Sequence, residues 1–178
     1  AMSARFQEAE TARLMAQVDR LRQEGELVAC VDVLRELADP NAPCQPERLQ
    51  EIAQRFTSLG LHVEAERCFA RARALEPENP AYLYNHATAL IALGRLAEAE
   101  RALDRVIELA PGDSDAWYNR ATLRRQTAQG NHVALIEEQL RRLPASAPGE
   151  VALSYALAKE LEDLGEHPVG SCILRVCL

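Results

Sequence analysis

The chain has 178 residues and carries 27 acidic against 20 basic side chains, a formal charge of −7. Phosphate backbones would be repelled on average, which argues against a nucleic-acid partner. Apolar residues make up 48% but aromatics only 4%, so alanine and leucine supply most of the apolar surface, as closely packed helices require.

No run approaches the ~18 consecutive apolar residues of a membrane span. The N-terminal stretch AMSARFQEAETARLM carries charges throughout and has no apolar signal segment. Five cysteines, Cys30, Cys44, Cys68, Cys172 and Cys177, are an odd set without close pairs and do not make a disulfide framework. Cys172 and Cys177 lack a second ligand pair, so no zinc is expected. Cys30 and Cys68 lie on apolar faces and read as core. A reducing, cytoplasmic compartment fits this usage.

Arg5 to Gln23 is a helical pattern, with Phe6, Leu14, Val18 and Leu21 on its apolar side. Gly25 breaks it, and Leu27 to Leu37 forms the partner helix of a degenerate first hairpin (4–40). DPNAPCQP, Asp39 to Pro46, holds three prolines and reads as a loop. Two stretches of 34 residues follow, Pro46 to Asn79 and Pro80 to Asp113. Laid one on the other, their landmarks coincide: Ala53 with Ala87, Gly60 with Gly94, Ala65 with Ala99. Phe69 falls on Leu103, Ala72 on Val106 and Pro77 on Pro111. Self-similarity at this period marks a helix–turn–helix repeat. The alanines let paired helices approach closely, the glycine allows the turn between them, and the proline ends the second helix.

Ser114 opens a third copy in register, with Trp117 at its fourth place and Ala121 at its eighth. The pattern then slips. Ala128 stands where glycine stood and Gly130 follows. Asn131 can cap a helix from His132 to Leu143, with Val133, Ile136, Leu140 and Leu143 as its stripe. Glu137 occupies a place where the repeat expects an apolar residue, so the helix of this shifted repeat (114–147) is displaced or rotated. PASAP, Pro144 to Pro148, is a turn, and Glu150 to Leu164 is a further first helix. EHPVGSCILRVCL follows, which leaves 148–178 an incomplete last repeat. Its apolar residues Val169, Ile173, Leu174, Val176 and Leu178 are expected to dock on the open face of the last helix or on a second copy of the chain.

The spacing of Gly60/Gly94, Ala65/Ala99 and Pro77/Pro111 resembles that of the tetratricopeptide repeat family. The resemblance implies an all-α, right-handed solenoid of about five hairpins, one array over 1–178, whose concave side is lined by the first helix of each pair. It also implies a groove face at fixed places of each repeat. Those places hold Tyr84, Asn85 and Thr88, then Tyr118, Asn119, Thr122, Arg125 and Gln126, with Tyr155 and Lys159 in the last hairpin. The second repeat offers Glu47, Gln50, Glu51 and Gln54. Asn85 and Asn119 stand one repeat apart and would form a ladder able to bond a peptide backbone, with tyrosines as rigid amphipathic neighbours. The alternative is that both asparagines satisfy local backbone and the tyrosines merely pack. Asn131 to His167 also resembles the repeat region that precedes a sulfotransferase domain in some bacterial proteins.

Catalytic motifs are not legible: no phosphate-cradling Gly-rich loop, HExxH, CxxC or GxSxG occurs. His62, His86, His132 and His167 fall on four repeats and read as solvated or half-buried. Glu98, Glu100, Arg101, Asp104 and Arg105 read as a solvated helix surface. The expectation is a non-enzymatic module, without metal or cofactor, that binds a protein or peptide. The alternative is the repeat region of a sulfotransferase.

Overall fold

The computed structural model describes residues 4–42, 44–144 and 146–166. The tail Val169–Leu178, His167, Cys172 and Cys177 lie outside the described residues, and so does the self-association expected of that tail. The described residues form nine helices and no strand. They divide into two compact units, one ending at Glu76 and the other starting at Pro77.

In the first unit, α1 (Ala4–Glu24) pairs with α2 (Leu27–Leu37), and α3 (Pro46–Ser58) with α4 (His62–Leu75). Each pair turns on a glycine, Gly25 at φ 81° and Gly60 at φ 76°, in the left-handed region that costs other residues a Cβ clash. Pro46 starts α3 at its first position, where no amide bond is lost. The apolar spacing buries Leu34, Leu49, Ile52, Ala53, Phe56, Ala65 and Ala72 completely. Cys30 and Cys68 join this core. Desolvation pushes the Cys68 thiol up to about 11. The proline-rich segment is a loop, held where Arg71 donates to the carbonyls of Ala38 and Ala42 at 2.8 and 3.3 Å.

In the second unit, α5 (Pro80–Ala92) and α6 (Leu96–Leu109) form the most regular hairpin. Asn79 caps α5 by accepting from the Ala81 amide at 3.1 Å. Ala87 and Ala99 are fully buried. Asp113 caps α7 (Ser114–Thr122) through the amides of Asp115 and Ala116. Trp117 fills the centre of the core, and its indole N–H is satisfied by the Pro111 carbonyl at 2.9 Å.

Beyond Thr122 the repeat geometry changes. The α8 helix (Val133–Arg142) is shorter than the expected 132–143. The cap position falls on His132, which makes no side-chain cap bond, and Asn131, expected as the cap, lies one place earlier and accepts from the Val133 amide at 3.2 Å. Of its stripe only Ile136 is fully buried, while Val133, Leu140 and Leu143 pack partly against the core. Both α7 and α8 pack chiefly on α9 (Glu150–Leu164). The physical reason is the missing turn glycine. Without it the chain cannot fold α8 straight back along α7, and α9 fills the vacated face.

Candidate groove face on α5, α7 and α9

Three contacts set α7 and α9 side by side and pointing the same way. At their starts, Gly149 lies so close to Ser114 that a Cβ would come within 2.5 Å of the Ser114 hydroxyl. At their middles, the rings of Tyr118 and Tyr155 meet at 5.6 Å, tilted by 52°. Near the end of α9, the Asp163 carboxylate accepts at 2.8 Å from the amide of Gln126, four residues past the end of α7. Tyr118 and Tyr155 are exposed at 39% and 60% of their surface, and Val151, one turn before Tyr155, at 66%. Isolated exposed tyrosines would be ordinary, but two in ring contact beside an exposed valine form a patch.

Tyr84 of α5 reaches α7 at Asn119, the residue after Tyr118. Its hydroxyl accepts from the Asn119 side chain at 2.8 Å, which leaves the phenol proton and the Asn119 carbonyl to other partners. Burial, then the negative charges of Asp115 and Asp113, push the Tyr84 phenol up. Asn85 is half-buried one repeat earlier. The hydroxyls of Thr88 and Thr122 donate to carbonyls of their own helices, Asn85 and Tyr118, both at 2.8 Å. Lys159 pairs with Asp163, and Arg125 donates to the Asp163 carbonyl at 3.4 Å. The contacts fall into three groups: Tyr84 with Asn119, Tyr118 with Tyr155, and Arg125 and Lys159 both on Asp163.

Several groups behave otherwise than the sequence suggests. Gln126 is only 4% exposed and turns inward, where its carbonyl accepts from Arg120 at 2.9 Å. Gln50 likewise turns into the core of the first unit, at 6% exposure. Glu47 and Glu51 line a cleft of about 640 Å³ in that unit, and Gln54 is exposed. His86 is buried at 6%, not solvated.

The largest departure is at Glu100 and Asp104, which the helical pattern assigns to solvent. Arg120, only 4% exposed, reaches Asp104 at 2.6 Å and Glu100 at 2.8 Å. Arg124 covers the same Glu100 carboxylate, with its Nε at 3.0 Å. Beside them His132 lies 3.7 Å from Asp104 and 3.5 Å from the fully buried Glu160, with its ring edge-on to Trp117. Glu160 also accepts the His132 backbone amide. This buried network joins α6, α7, the segment before α8 and α9, and so holds α7 and α9 in place beneath the tyrosines. The sequence signal that could have found it is the slip itself, since a broken repeat must replace the lost helix packing with something else.

Among the described residues no group of histidines, cysteines and carboxylates is placed to hold a metal ion, and no helix is long and apolar enough to cross a membrane.

Residues 57–123 match the family model for the tetratricopeptide repeat, and the match stops where α7 gives way to the irregular segment. No curated protein matches the chain in sequence. Among solved structures, the MamA protein is similar at 20% identity and TM-score 0.58, over 86% of this chain and 91% of that one. Putative kinesin light chain repeats from Podospora anserina are similar at 19% identity and TM-score 0.61, over 86% and 87%. The first tetratricopeptide domain of Spaghetti (RPAP3), bound to the HSP90 peptide SRMEEVD, is similar at 22% identity and TM-score 0.50, over 64% and 89%. At these identities the likeness shows the fold. The described hairpins are those of the tetratricopeptide fold, and residues 57–123 carry the repeat of that family.

Proposed function

We propose that this chain is a non-catalytic interaction module that binds a protein segment on the face formed by α5, α7 and α9. The observation that carries the reading is the exposed Tyr118–Tyr155 contact next to the Tyr84–Asn119 hydrogen bond. Rigid aromatic rings offer contact area at small entropic cost. Among the described residues the phenol proton of Tyr84 and the side-chain carbonyl of Asn119 have no hydrogen-bond partner, and both can pair with a peptide backbone of any sequence. Asn85, Thr88, Thr122, Arg125 and Lys159 surround that centre. The peptide complex of the similar Spaghetti domain supports the class of ligand. The free cysteines Cys30, Cys44 and Cys68 suit a reducing, cytoplasmic setting.

The test is selection of binding peptides by display on the full chain, followed by anisotropy measurements on variants whose helicity is checked by circular dichroism. Tyr118→Ala should weaken binding by about 2 kcal/mol, as for an aromatic anchor. Asn119→Ala should weaken it by about 1 kcal/mol, as for one hydrogen bond. Binding as tight as the parent's in both folded variants would refute the reading. The other possibility, a repeat region preceding a sulfotransferase domain, is separated from this one by the sequence of the reading frame beyond Leu178.

A further inference from the structure

The Tyr84–Asn119 hydrogen bond has a definite polarity. Asn119 donates through Nδ2 to the Tyr84 hydroxyl at 2.8 Å. That contact commits the amide nitrogen and leaves the Asn119 Oδ1 acceptor at the other corner of the amide. It also leaves Tyr84 as a donor, because a hydroxyl oxygen that accepts one hydrogen bond still carries its own proton. Among the described residues neither that proton nor Asn119 Oδ1 has a partner. Both side chains are half-buried, so each group has lost part of its hydration and gains from a partner that arrives from outside. One turn further along each helix the hydroxyls of Thr88 and Thr122 are already spent on carbonyls of their own helices. The pair therefore offers one donor and one acceptor side by side, contributed by two helices. A strand edge offers the same pattern. In an extended segment the N–H and C=O of one residue point to the same side and are bonded together by a paired strand. Inside an α-helix both groups are bound within the helix, so a helical partner presents neither.

We infer that the partner segment is extended where it crosses α5 and α7. One of its residues donates its N–H to Asn119 Oδ1, and the C=O of that residue accepts from the Tyr84 hydroxyl. The inference rests on the groove reading above and adds the conformation of the ligand and a role for Tyr84. Tyr84 is a positioning residue as well as a contact, since by holding Nδ2 it keeps the amide from turning over.

The probe is the tightest binder selected by display of random peptides on the full chain, resynthesised with each backbone amide N-methylated in turn. Methylation removes one N–H and leaves every side chain in place. At one position it should weaken binding to the parent chain about fivefold, as for one hydrogen bond. The same methylation should leave binding to Asn119→Ala unchanged. Tyr84→Phe should lower the affinity of the unmethylated peptide about fivefold and shrink the response to methylation, which loss of ring packing by itself would not do. Circular dichroism and urea midpoints check that both variants fold, and Tyr84→Phe carries the test if Asn119→Ala does not. A methylation response equal in all three chains, or a peptide bound as a helix, would overturn the inference. If no methylated position separates the parent from the variants while Tyr118→Ala still weakens binding, the extended backbone is wrong and the groove stands. If neither Tyr118→Ala nor Asn119→Ala weakens binding, the groove reading falls and the inference with it.

Discussion

Replacing Arg120 is the sharpest test of the buried network. Its guanidinium spans Asp104 at 2.6 Å, Glu100 at 2.8 Å and Gln126 at 2.9 Å. Asp104 is half-buried and can rehydrate, but the Glu100 side chain is only 11% exposed. Arg120→Ala would leave that carboxylate with Arg124 alone, whose own side chain is 58% exposed and draws much of its solvation from water. Breaking a buried pair by removing one partner costs about 3–5 kcal/mol, because the surviving charge stays buried. The loss should be read in urea denaturation of the full chain, followed by Trp117 fluorescence, which reports the second unit from within its core. The double variant Arg120→Met/Glu100→Gln removes the orphaned charge and keeps the apolar stem, so it should recover at least half of the loss. As a control, Arg141→Ala deletes an exposed partner of Glu138 in the same unit and should leave the midpoint where it was. An Arg120→Ala midpoint as close to the parent's as the Arg141→Ala midpoint would show that the network is not closed in solution and that the account of α7 and α9 is wrong.

Ala87→Leu and Ala99→Leu should each cost about 1–3 kcal/mol by overpacking, since both sites are fully buried between paired helices; unchanged denaturation midpoints would count against the repeat register. The Cys68 thiol, raised from 9.0 to about 11 by burial, makes the first unit lose stability at alkaline pH. Below pH 9 the thiol is neutral in both states, and above it the unfolded chain ionises first, so about 2–3 kcal/mol should be lost between pH 9 and 11. Cys68→Ala should flatten that slope in far-UV-detected unfolding, and parallel slopes for the two chains would refute the assignment.

The sequence by itself determined the hairpins. Period, small residues and turn glycines act within a stretch of about 34 residues, so they could be read locally. Ala53, Ala65, Ala87 and Ala99 are buried as their places in the repeat require, and Gly60 and Gly94 take the left-handed turn conformation. The start and end of α9 were also legible, because Gly165 closes it at φ 74°. Tertiary structure alone decided the fate of the charged residues. Glu100 and Asp104 have the spacing of a wet helix face, and Arg120, arriving from the next helix, together with Arg124 makes the burial of Glu100 tolerable. The Asn119–Tyr84 bond was likewise out of reach, although both residues were singled out, because equal places in a repeat give a common direction but not a contact across 35 residues. The parallel pairing of α7 with α9 follows from the lost turn after Thr122 and from the fit of Gly149 against Ser114. A sequence states which side chains are available, whereas burial of a charge or the meeting of two rings depends on what a distant segment brings to the same place.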